Sequence, residues 1–571
     1  MYILGINAAF HDTAAALVKD GKIIAAAEEE RFTHIKHGKR PVPFSTWELP
    51  FHAIDFCLKT AGITLKDVDR IAYSFDPDGV NDSAIFEETL FEDNEITLVA
   101  GNRNNWDILF LDYIRKAPDQ LRDGYPHHLQ KRFSDAGDLS RKWDFVNHHI
   151  AHAASAFFSS PFTEAAVLTL DGRGEMATTG YFTGDFNSLR QIASVDMPHS
   201  LGILYEKITT YLGFLHSSDE YKVMALASYG KPVFLEDFRS IIHVGNNGQY
   251  TIDDFDPVEF WGPGRKRDDP FGELHFNIAQ SLQKALEETV LKLVDWLHRQ
   301  THAENLCLAG GIALNCVLNA VIRDRGPFKN VWIQPAAGDA GTALGAAQWI
   351  DVQLNASNEN IRYTAPMEHV YWGPEYSDEE IEKFMIWAKM PYKRLSDVAK
   401  ETAEILAQDK IIAWYQGRME FGPRSLGARS ILASPINPQM QARLNDIKDR
   451  EDFRPVAPVI LEQDASEWFE RACVSPFMLF VFPVKDEKAD LIPAVRHTDG
   501  TARVQTINKD QHPLYYDLIS EFKALTGVPV LVNTSFNTRG EPIVCSPRDA
   551  IECFWTSPFD ALIINSFILQ K

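Results

Sequence analysis

The sequence has no cysteine pair at the spacing of a metal or redox motif, and it has no long apolar run. None of its six cysteines forms a Cys-x-x-Cys pair, which disfavours zinc ribbons and thioredoxin-like sites. The cysteines lie mostly in apolar stretches, as is typical of reduced core residues in a cytoplasmic protein. No apolar run reaches the ~18 residues that a membrane-spanning helix needs. The N-terminus has no basic region before its first apolar run, so it predicts a strand rather than a signal peptide.

Positive charge is also scarce. The 571 residues include 56 Lys and Arg against 79 Asp and Glu, which gives a formal net charge of −23. A surface this acidic disfavours broad binding to nucleic acid or to anionic membranes, although a local basic pocket is compatible with it. The acidic composition is more typical of a protein that acts on small substrates, and it weakly favours cationic substrates.

The length of the chain exceeds what one hydrophobic core usually supports, so we expect two or more domains. A polar, asparagine-rich stretch from Asp351 to Ala365 predicts a linker, and it divides the chain into residues 1–354 and 366–571. A second polar stretch, from about Pro77 to Lys142, is charged and contains scattered aromatic residues. We interpret it as a mostly helical insertion.

Three histidines occur within five residues, in the stretch Asn147–His152. The alanine-rich run that follows has no Gly or Pro, and Asn147 is a good N-cap residue, so we predict a helix that begins there. On a helix, His148 and His152 share one face, with Cβ atoms ~6 Å apart, whereas His149 points elsewhere. The pair could share a metal ion, or each histidine could bond to a backbone carbonyl in the core.

Two aspartates follow predicted buried strands and lie in glycine-rich turns. Asp171 ends one such strand, and Asp339 lies in the turn after another. Turns at strand ends are where α/β folds place ligand-binding groups, because glycine lets backbone N–H groups approach closely. Together with His148 and His152, the two aspartates could form a metal site of two imidazoles and two carboxylates. Such mixed ligands suit Fe(II), Zn or Mn.

Two further features suggest nucleotide binding in the first half of the chain. Runs at 2–6, 14–18 and 22–27, with the turn Asp20-Gly21 before the last, predict three successive strands. An actin-like nucleotide-binding fold begins in this way, as do many β-meanders. The turn Gly310-Gly311 leads from a buried strand into a helix, where free N–H groups and the helix dipole favour anions. A paired-glycine turn of this kind is also common without a ligand.

Basic residues are concentrated late in the chain, in spite of its acidic composition. Many of them lie among glycines or at predicted strand ends: Arg418, Arg424, Arg429, Lys448, Arg450, Arg454 and Arg503. Ser535 and Asn537 follow a buried strand near the C-terminus. Arginine binds phosphate through two parallel hydrogen bonds, and Ser and Asn supply further ones. Any one arginine could instead pair with a surface carboxylate, but the concentration among glycines favours an anion site.

Seven motifs occur in an order that resembles the NodU/CmcH O-carbamoyltransferases, and the resemblance spans nearly the whole chain. They are Phe10-His11-Asp12, Glu28–Phe32, His148–His152, Leu170-Asp171-Gly172, Lys222–Leu226, Gly310-Gly311 and Gly338-Asp339. The resemblance implies an α/β protein with two domains. The N-terminal domain would be actin-like (ASKHA), similar to the tRNA threonylcarbamoyl-transferring proteins, and would bind metal and adenylate. The C-terminal domain would be YrdC-like and would carry out adenylation.

The resemblance also implies roles for individual residues. His148, His152, Asp171 and Asp339 would hold iron, and His11 would be the catalytic base. Lys36 would face the adenylate phosphate, and Gly310 and Gly311 would lie near the adenosine. Carbamoyl phosphate and ATP would be bound by Arg418, Arg424, Arg429, Lys448, Arg454, Arg503, Ser535 and Asn537.

The activity expected from this resemblance is ATP-dependent O-carbamoyl transfer. Carbamoyl phosphate and ATP, with Mg²⁺, would give carbamoyl adenylate, and the carbamoyl group would pass to a hydroxyl of a small molecule. The acceptor could be an antibiotic, a sugar or another secondary metabolite; nucleic acid and membranes are not expected partners. Two alternatives stay open. A sugar kinase of actin-like fold would release ADP and leave the C-terminal arginines unused, and a non-catalytic protein would bind nucleotide or metal without turnover.

Overall fold

The computed structural model describes residues 1–38, 48–79, 124–356, 361–538 and 540–571. Of the insertion predicted between Pro77 and Lys142, residues 124–132 are helical, and residues 80–123 lie outside the described part of the chain. The α-helices are Glu30–Thr33, Phe51–Ala61, His148–Phe157, Leu201–Tyr211, Glu220–Ala227, Leu235–Ile241, Pro257–Trp261, Glu273–Thr301, Cys316–Arg325, Asp339–Asn355, Asp378–Trp387, Val398–Leu406, Met440–Ile447, Ala465–Trp468, Asp486–Ala489, Pro513–Thr526 and Pro547–Thr556.

The strands of the described residues are β1 (Tyr2–Asn7), β2 (Ala14–Lys19), β3 (Lys22–Glu28), β4 (Arg70–Tyr73), β5 (Trp143–Phe145), β6 (Glu164–Leu170), β7 (Ala177–Asp185), β8 (Ser188–Asp196), β9 (Ile242–Val244), β10 (Tyr250–Ile252), β11 (Asn305–Ala309), β12 (Asn330–Ile333), β13 (Lys393–Arg394), β14 (Ile412–Tyr415), β15 (Arg429–Ala433), β16 (Ala457–Leu461), β17 (Val481–Pro483), β18 (Thr501–Arg503), β19 (Gln505–Ile507), β20 (Val530–Ser535), β21 (Ala561–Ile564) and β22 (Phe567–Gln570). Across these same described ranges, no helix combines the length and the apolar character needed to cross a bilayer.

The first half of the chain contains two five-stranded sheets of the same topology. Their strand orders are β3-β2-β1-β4-β5 and β8-β7-β6-β11-β12. In each sheet the central strand pairs antiparallel with the next strand of the chain and parallel with the strand on its other side. This repeated arrangement is the actin-like fold, so the fold class predicted for the first half is confirmed.

The second half forms one mixed sheet of eight strands, in the order β13-β22-β21-β14-β15-β20-β16-β19. It is an α/β arrangement, as predicted. One cluster of buried hydrophobic residues extends from Ala166 in β6 to Leu569 in β22, so the second actin-like sheet and the C-terminal sheet share a core. The domain boundary between residues 354 and 366 stays a prediction. The helix Asp339–Asn355 extends over the first five residues of the predicted linker, 351–355.

Two helices that carry candidate ligands pack directly against each other. The helix Asp339–Asn355 lies against His148–Phe157, and Gly345 is the point of closest approach. A Cβ atom at Gly345 would lie 1.8 Å from the carbonyl oxygen of Ala151. Only a residue without a side chain allows the backbones to come this close, so this glycine sets the separation between the two helices.

Gly345→Ala should therefore destabilise the protein. The added methyl group would push the two helices apart, which typically costs about 1–3 kcal/mol of unfolding free energy in a packed core. Urea unfolding followed by circular dichroism would measure the loss. Gly272→Ala is a matched control, because the nearest atom to its added Cβ would lie 4.0 Å away. An unchanged urea midpoint for Gly345→Ala would contradict this account of the packing.

Candidate functional site

The helix predicted at the three histidines is present as His148–Phe157, and Asn147 is its N-cap. The Asn147 side chain accepts a hydrogen bond from the backbone N–H of Ile150 at 3.1 Å. His148 and His152 lie on one face, with ring centroids 4.6 Å apart. The local pattern of the sequence thus positions two imidazoles side by side in the core.

The structure brings the four residues of the predicted metal site together. One nitrogen or oxygen atom from each of His148, His152, Asp171 and Asp339 lies within 4.8 Å of the others, and all four residues are buried. The Nε2 atoms of His148 and His152 are 3.2 and 3.4 Å from Asp171 Oδ2. They are 3.5 and 3.8 Å from Asp339 Oδ1. Three chain segments, the histidine helix and the stretches at Asp171 and Asp339, therefore converge on one point.

The bonding state of these atoms fits a divalent cation. Both ring nitrogens of His152 and Asp339 Oδ2 are buried without a hydrogen-bond partner, although such atoms are normally paired. His148 Nδ1 lies 3.2 Å from the Ser74 carbonyl oxygen. Since a carbonyl can only accept, Nδ1 carries the proton, and the Nε2 lone pair is directed at the two carboxylates. Two imidazoles and two carboxylates suit Fe(II), Zn or Mn, and the identity of the metal stays a prediction.

Electrostatics support the same conclusion. Burial lowers the pKa of His148, but the Asp339 and Asp171 carboxylates outweigh burial and raise the pKa well above its ordinary value. Burial raises the pKa of Asp171, but the neighbouring His148 and His152 imidazoles outweigh it and hold the pKa well below its ordinary value. Two buried carboxylates thus require positive charge at their centre, and a divalent ion would supply it.

Glu175 also supports the site, although the sequence analysis did not single it out. Its carboxylate accepts hydrogen bonds from the His148 backbone N–H at 2.9 Å, from Asn147 Nδ2 at 2.7 Å and from the Asp76 backbone N–H at 2.7 Å. It therefore binds the free N-terminal N–H groups of the histidine helix. The signal in the sequence was an acidic residue directly after Gly174, at the end of the turn that follows Asp171.

His149 points away from the cluster, as predicted. Its Nε2 lies 2.8 Å from the Ala177 carbonyl oxygen, and its Nδ1 lies 2.7 Å from Thr169 Oγ1. Burial lowers the pKa of His149 to about 3, and His148 and His152 act in the same direction. His149 is therefore a neutral structural residue that joins the helix to β6 and β7.

The turn Gly310-Gly311 orients one of the candidate ligands. Gly311 N–H donates to Asp171 Oδ1 at 2.8 Å, which leaves Oδ2 directed at the histidines. Gly310 has φ +93°, and a Cβ atom there would lie 2.2 Å from the Leu170 carbonyl oxygen. A short 3₁₀ helix, Gly311–Leu314, follows the turn. The predicted contact of these glycines with adenosine remains a prediction.

His11 and Lys36 lie at the outer side of the cluster. His11 Nδ1 is 3.8 Å from Asp339 Oδ2, and the His11 side chain is 38% exposed. Lys36 Nζ donates to Ser218 Oγ at 2.9 Å. The predicted base therefore lies between solvent and the buried cluster.

A second group of polar residues lies in the C-terminal half, around Lys448. Lys448 Nζ donates to Asn537 Oδ1 at 2.6 Å and to the carbonyl oxygens of Asn537 and Ser535 at 2.8 and 2.5 Å. Burial lowers the pKa of Lys448 well below its ordinary value, and Arg450 and Arg454 lower it further. The predicted residues Lys448, Ser535, Asn537 and Arg454 are thus close together.

Arg424 and Arg503 belong to the same region. Burial lowers the pKa of Arg424, and the charge of Arg503 lowers it further. Arg450 was not among the site residues predicted from the sequence. Burial lowers the pKa of Arg450, and the charges of Arg454 and Arg503 lower it further. Buried nitrogens of Arg424, Arg450 and Arg503 have no hydrogen-bond partner. Cations that repel one another and keep free donors are an arrangement that an anion would stabilise. We use the name anion pocket for these residues: Arg424, Lys448, Arg450, Arg454, Arg503, Ser535 and Asn537.

Arg418 and Arg429 do not belong to the anion pocket. Arg418 donates to the carbonyl oxygens of Trp372 and Gly373. Arg429 is fully buried: it donates to four carbonyl oxygens and lies 3.6 Å from the centre of the Tyr415 ring. Their predicted role in binding carbamoyl phosphate and ATP stays a prediction, and these contacts do not favour it, because most of their donors already bind backbone carbonyls.

One chain of contacts joins the anion pocket to the metal-ligand cluster, and a second joins the pocket to Lys222. Arg424 Nη2 donates to the Leu314 carbonyl oxygen at 2.7 Å, at the end of the 3₁₀ helix whose first N–H binds Asp171. Glu451 pairs with Lys222 Nζ at 3.0 Å and with Arg454 Nη1 at 3.5 Å. The two sites are thus connected through the protein as well as by the shared core.

The anion pocket predicts a stabilising effect of inorganic pyrophosphate. Binding only to the folded state contributes about 2.7 kcal/mol at a concentration of 100 Kd, so the thermal midpoint should rise by roughly 2–6 °C. Differential scanning fluorimetry would measure it. Arg503→Gln should abolish most of the shift, whereas Arg548→Gln should not, because Arg548 is exposed and pairs with Glu552. Equal shifts in both variants would contradict the assignment.

Comparisons with known proteins agree with this geometry. The family model for the carbamoyltransferase N-terminus matches residues 2–348, and the model for the carbamoyltransferase C-terminus matches residues 403–571. Nodulation protein NolNO of Sinorhizobium fredii is 39% identical, over 99% of this chain and 80% of that protein. Nodulation protein U of Rhizobium tropici is 30% identical, over 100% of this chain and 96% of that protein.

Solved structures are more distant. Full-length HypF in its phosphate- and nucleotide-bound form has a TM-score of 0.33 and 14% identity, and the match covers 62% of this chain and 56% of that one. A similarity this low does not bear on function. The two family models, in contrast, cover most of the N-terminal and C-terminal halves, and by these matches the chain belongs to the carbamoyltransferase family.

Proposed function

We propose that the protein is an ATP-dependent O-carbamoyltransferase with two reaction sites. The observation that carries the proposal is the buried cluster of His148, His152, Asp171 and Asp339, with ligand atoms within 4.8 Å and His11 beside it. The anion pocket in the C-terminal half supports it, because a carbamoyltransferase that uses ATP needs a second site for phosphates. The acceptor would be a hydroxylated small molecule, such as an antibiotic, a sugar or another secondary metabolite.

The first reaction would take place in the anion pocket. Carbamoyl phosphate, ATP and one water would give carbamoyl adenylate, pyrophosphate and phosphate, with Mg²⁺ accompanying ATP. Arg424, Lys448, Arg450 and Arg503 would neutralise the negative charge that accumulates on the phosphates. Charges fixed in place before the reaction stabilise such a transition state efficiently, because no groups need to reorganise.

The second reaction would take place beside the metal-ligand cluster. His11 would accept the proton of the acceptor hydroxyl as the hydroxyl oxygen bonds to the carbamoyl carbon and the bond to AMP breaks. A bound Fe(II), Zn or Mn ion, held by the four ligands, would supply Lewis-acid polarisation of the carbamoyl group. Lys36 would face the adenylate phosphate.

The base role of His11 depends on charge balance. Burial lowers the pKa of His11, but Asp339, Asp12 and Asp171 outweigh burial and raise the pKa to about 10. At neutral pH such a histidine carries its proton already. Positive charge held between Asp171 and Asp339 would offset the negative charge of these carboxylates. The pKa of His11 would then fall, and His11 would take the neutral form that a base requires.

Incubation with ATP, carbamoyl phosphate and a panel of hydroxylated compounds tests the proposal. Mass spectrometry should detect a carbamoyl increment on an acceptor together with AMP, and neither should form when carbamoyl phosphate is omitted. ADP with a phosphorylated acceptor would instead indicate the kinase alternative. Binding of ATP and metal without any turnover across the panel would favour the non-catalytic alternative.

A further inference from the structure

A line of hydrogen bonds runs from the surface to His11, and the proposed function uses only its two ends. Lys36 Nζ lies 2.9 Å from Ser218 Oγ, and Ser218 Oγ lies 2.9 Å from His37 Nε2. His37 Nδ1 is 2.8 Å from Asp12 Oδ1, and His11 Nδ1 is 3.0 Å from Asp12 Oδ2. Asp12 thus lies between two imidazoles and binds each with a different oxygen.

The chemistry of these groups fixes the direction of each bond. A lysine ammonium can only donate, so Ser218 Oγ accepts from Lys36, and its own O–H is available to donate to His37 Nε2. His37 then carries its proton on Nδ1 and donates to Asp12. Since a carboxylate can only accept, His11 must also donate through Nδ1. When positive charge between Asp171 and Asp339 keeps His11 neutral, its remaining nitrogen, Nε2, has a lone pair, which is the form that a general base needs.

We propose that Asp12, His37 and Ser218 are positioning residues for His11, and that they hold its imidazole in the tautomer with the proton on Nδ1. The inference rests on the proposed function, in which His11 takes the proton of the acceptor hydroxyl. Asp12 orients His11 directly. His37 and Ser218 act through Asp12, because their hydrogen bonds fix the position and rotation of its carboxylate.

The backbone around this line is held in an uncommon conformation. Asp12 and His37 both have positive φ, +50° and +65°, which costs of order 1 kcal/mol or more at a residue other than glycine. Glu30 Oε2 accepts from the His37 backbone N–H at 2.7 Å, and the His37 carbonyl oxygen accepts from Thr13 N–H at 3.2 Å. The fold thus keeps both side chains directed at each other in spite of the strain.

Asp12, Glu30 and His37 also have ligand atoms within 4.8 Å of one another, but a second cation fits them poorly. The Arg31 guanidinium already pairs with Glu30 Oε1 at 2.7 Å. Both ring nitrogens of His37 are engaged in the line described above. The bonding state of the three residues therefore indicates a hydrogen-bond network, in contrast with the buried atoms of His152 and Asp339 that have no partner.

Histidine ¹⁵N NMR on the full chain tests the inference without any acceptor, because the two nitrogens of each tautomer have distinct shifts. With Zn²⁺ bound at the four cluster ligands, so that His11 is neutral, His11 and His37 should both show the Nδ1–H tautomer, assigned by loss of their signals in His11→Gln and His37→Gln. Asp12→Asn should convert His11 to a mixture of tautomers. Ser218→Ala should convert His37 to a mixture of tautomers, and Ser218→Thr should restore the Nδ1–H tautomer of His37. His216→Gln, at an exposed histidine two residues before Ser218, should change neither.

An Nε2–H tautomer at His11 in the unmodified protein would overturn the inference, as would unchanged His11 shifts in Asp12→Asn. With an acceptor from the panel, Asp12→Asn should lower kcat by roughly 10²–10⁴-fold with little change in the acceptor KM, and formation of carbamoyl adenylate should persist. If the unmodified protein forms no carbamoyl product but shows the expected tautomers, the proposed function fails and the positioning of His11 stands. If it forms product and Asp12→Asn matches its kcat, the positioning inference fails alone.

Discussion

Asp171→Asn should remove metal binding and carbamoyl transfer while the formation of carbamoyl adenylate continues. The asparagine carbonyl can still accept the hydrogen bond from Gly311 N–H, so the turn keeps its structure. The amide has no negative charge and cannot replace the carboxylate oxygen that lies between His148 and His152. Because four ligands share a binding free energy of about 10 kcal/mol or more, the loss of one should weaken metal binding by roughly 100-fold.

Three measurements separate the effects of Asp171→Asn. Elemental analysis after dialysis would report the metal content, ATP–pyrophosphate exchange would report the first reaction, and mass spectrometry of the acceptor would report transfer. Transfer should fall by roughly 10³-fold, since Lewis-acid stabilisation is worth several kcal/mol. Asp185→Asn is the control, because Asp185 is exposed at the end of β7. A variant at position 171 that keeps full metal content would contradict the ligand assignment.

The parts of this site that could be predicted from the sequence depend on local patterns. The spacing of His148 and His152 defines a shared helix face, and Asn147 marks where the helix begins. Asp171 and Asp339 could be identified only together with the histidine pair, because an aspartate in a glycine turn is by itself more often a structural turn residue. The actin-like topology then explains why the two aspartates lie close together, because the strands that precede them, β6 and β12, belong to one sheet.

The parts that could not be predicted depend on contacts between distant segments. Arginine in a glycine-rich stretch indicates an anion site, but the type of residue does not show which carbonyl oxygens surround it. Arg429 binds the Pro374 carbonyl oxygen, 55 residues away, at 3.1 Å, and so serves the fold. Arg450 was omitted although it faces Arg454 and Arg503, because its neighbours are set by the folding of the chain between β16 and β20.

The contacts between the two sites suggest why both belong to one chain. Arg424, in the anion pocket, binds the Leu314 carbonyl oxygen, and the same short 3₁₀ helix begins with the N–H group that orients Asp171. Lys222, in a motif shared with the family, reaches Glu451 beside Arg454. The transfer of a reactive mixed anhydride would need the two sites to keep a fixed relation to each other, and these contacts would help to maintain it.

Lys448→Met should abolish the first reaction and leave the second intact. The ammonium group is buried and lies against the oxygen atoms of Ser535 and Asn537, where its charge would face a bound phosphate. Methionine fills a similar volume without charge, so ATP–pyrophosphate exchange should fall by roughly 10²–10³-fold. Lys410→Met is the control, because Lys410 is half-exposed and pairs with Asp560 at 3.0 Å. The thermal midpoint would report whether each variant is folded.

Mixing the Lys448→Met and Asp171→Asn proteins gives the sharper result. The Asp171 variant would make carbamoyl adenylate that it cannot use, and the Lys448 variant would keep the residues that transfer the carbamoyl group. If the intermediate escapes into solution, the mixture should carbamoylate an acceptor although neither variant does so alone. If it passes only inside one molecule, the mixture should stay inactive while pyrophosphate exchange by the Asp171 variant continues. Full exchange activity in Lys448→Met alone would instead remove the anion pocket from the mechanism, because the first reaction would then not need its central cation.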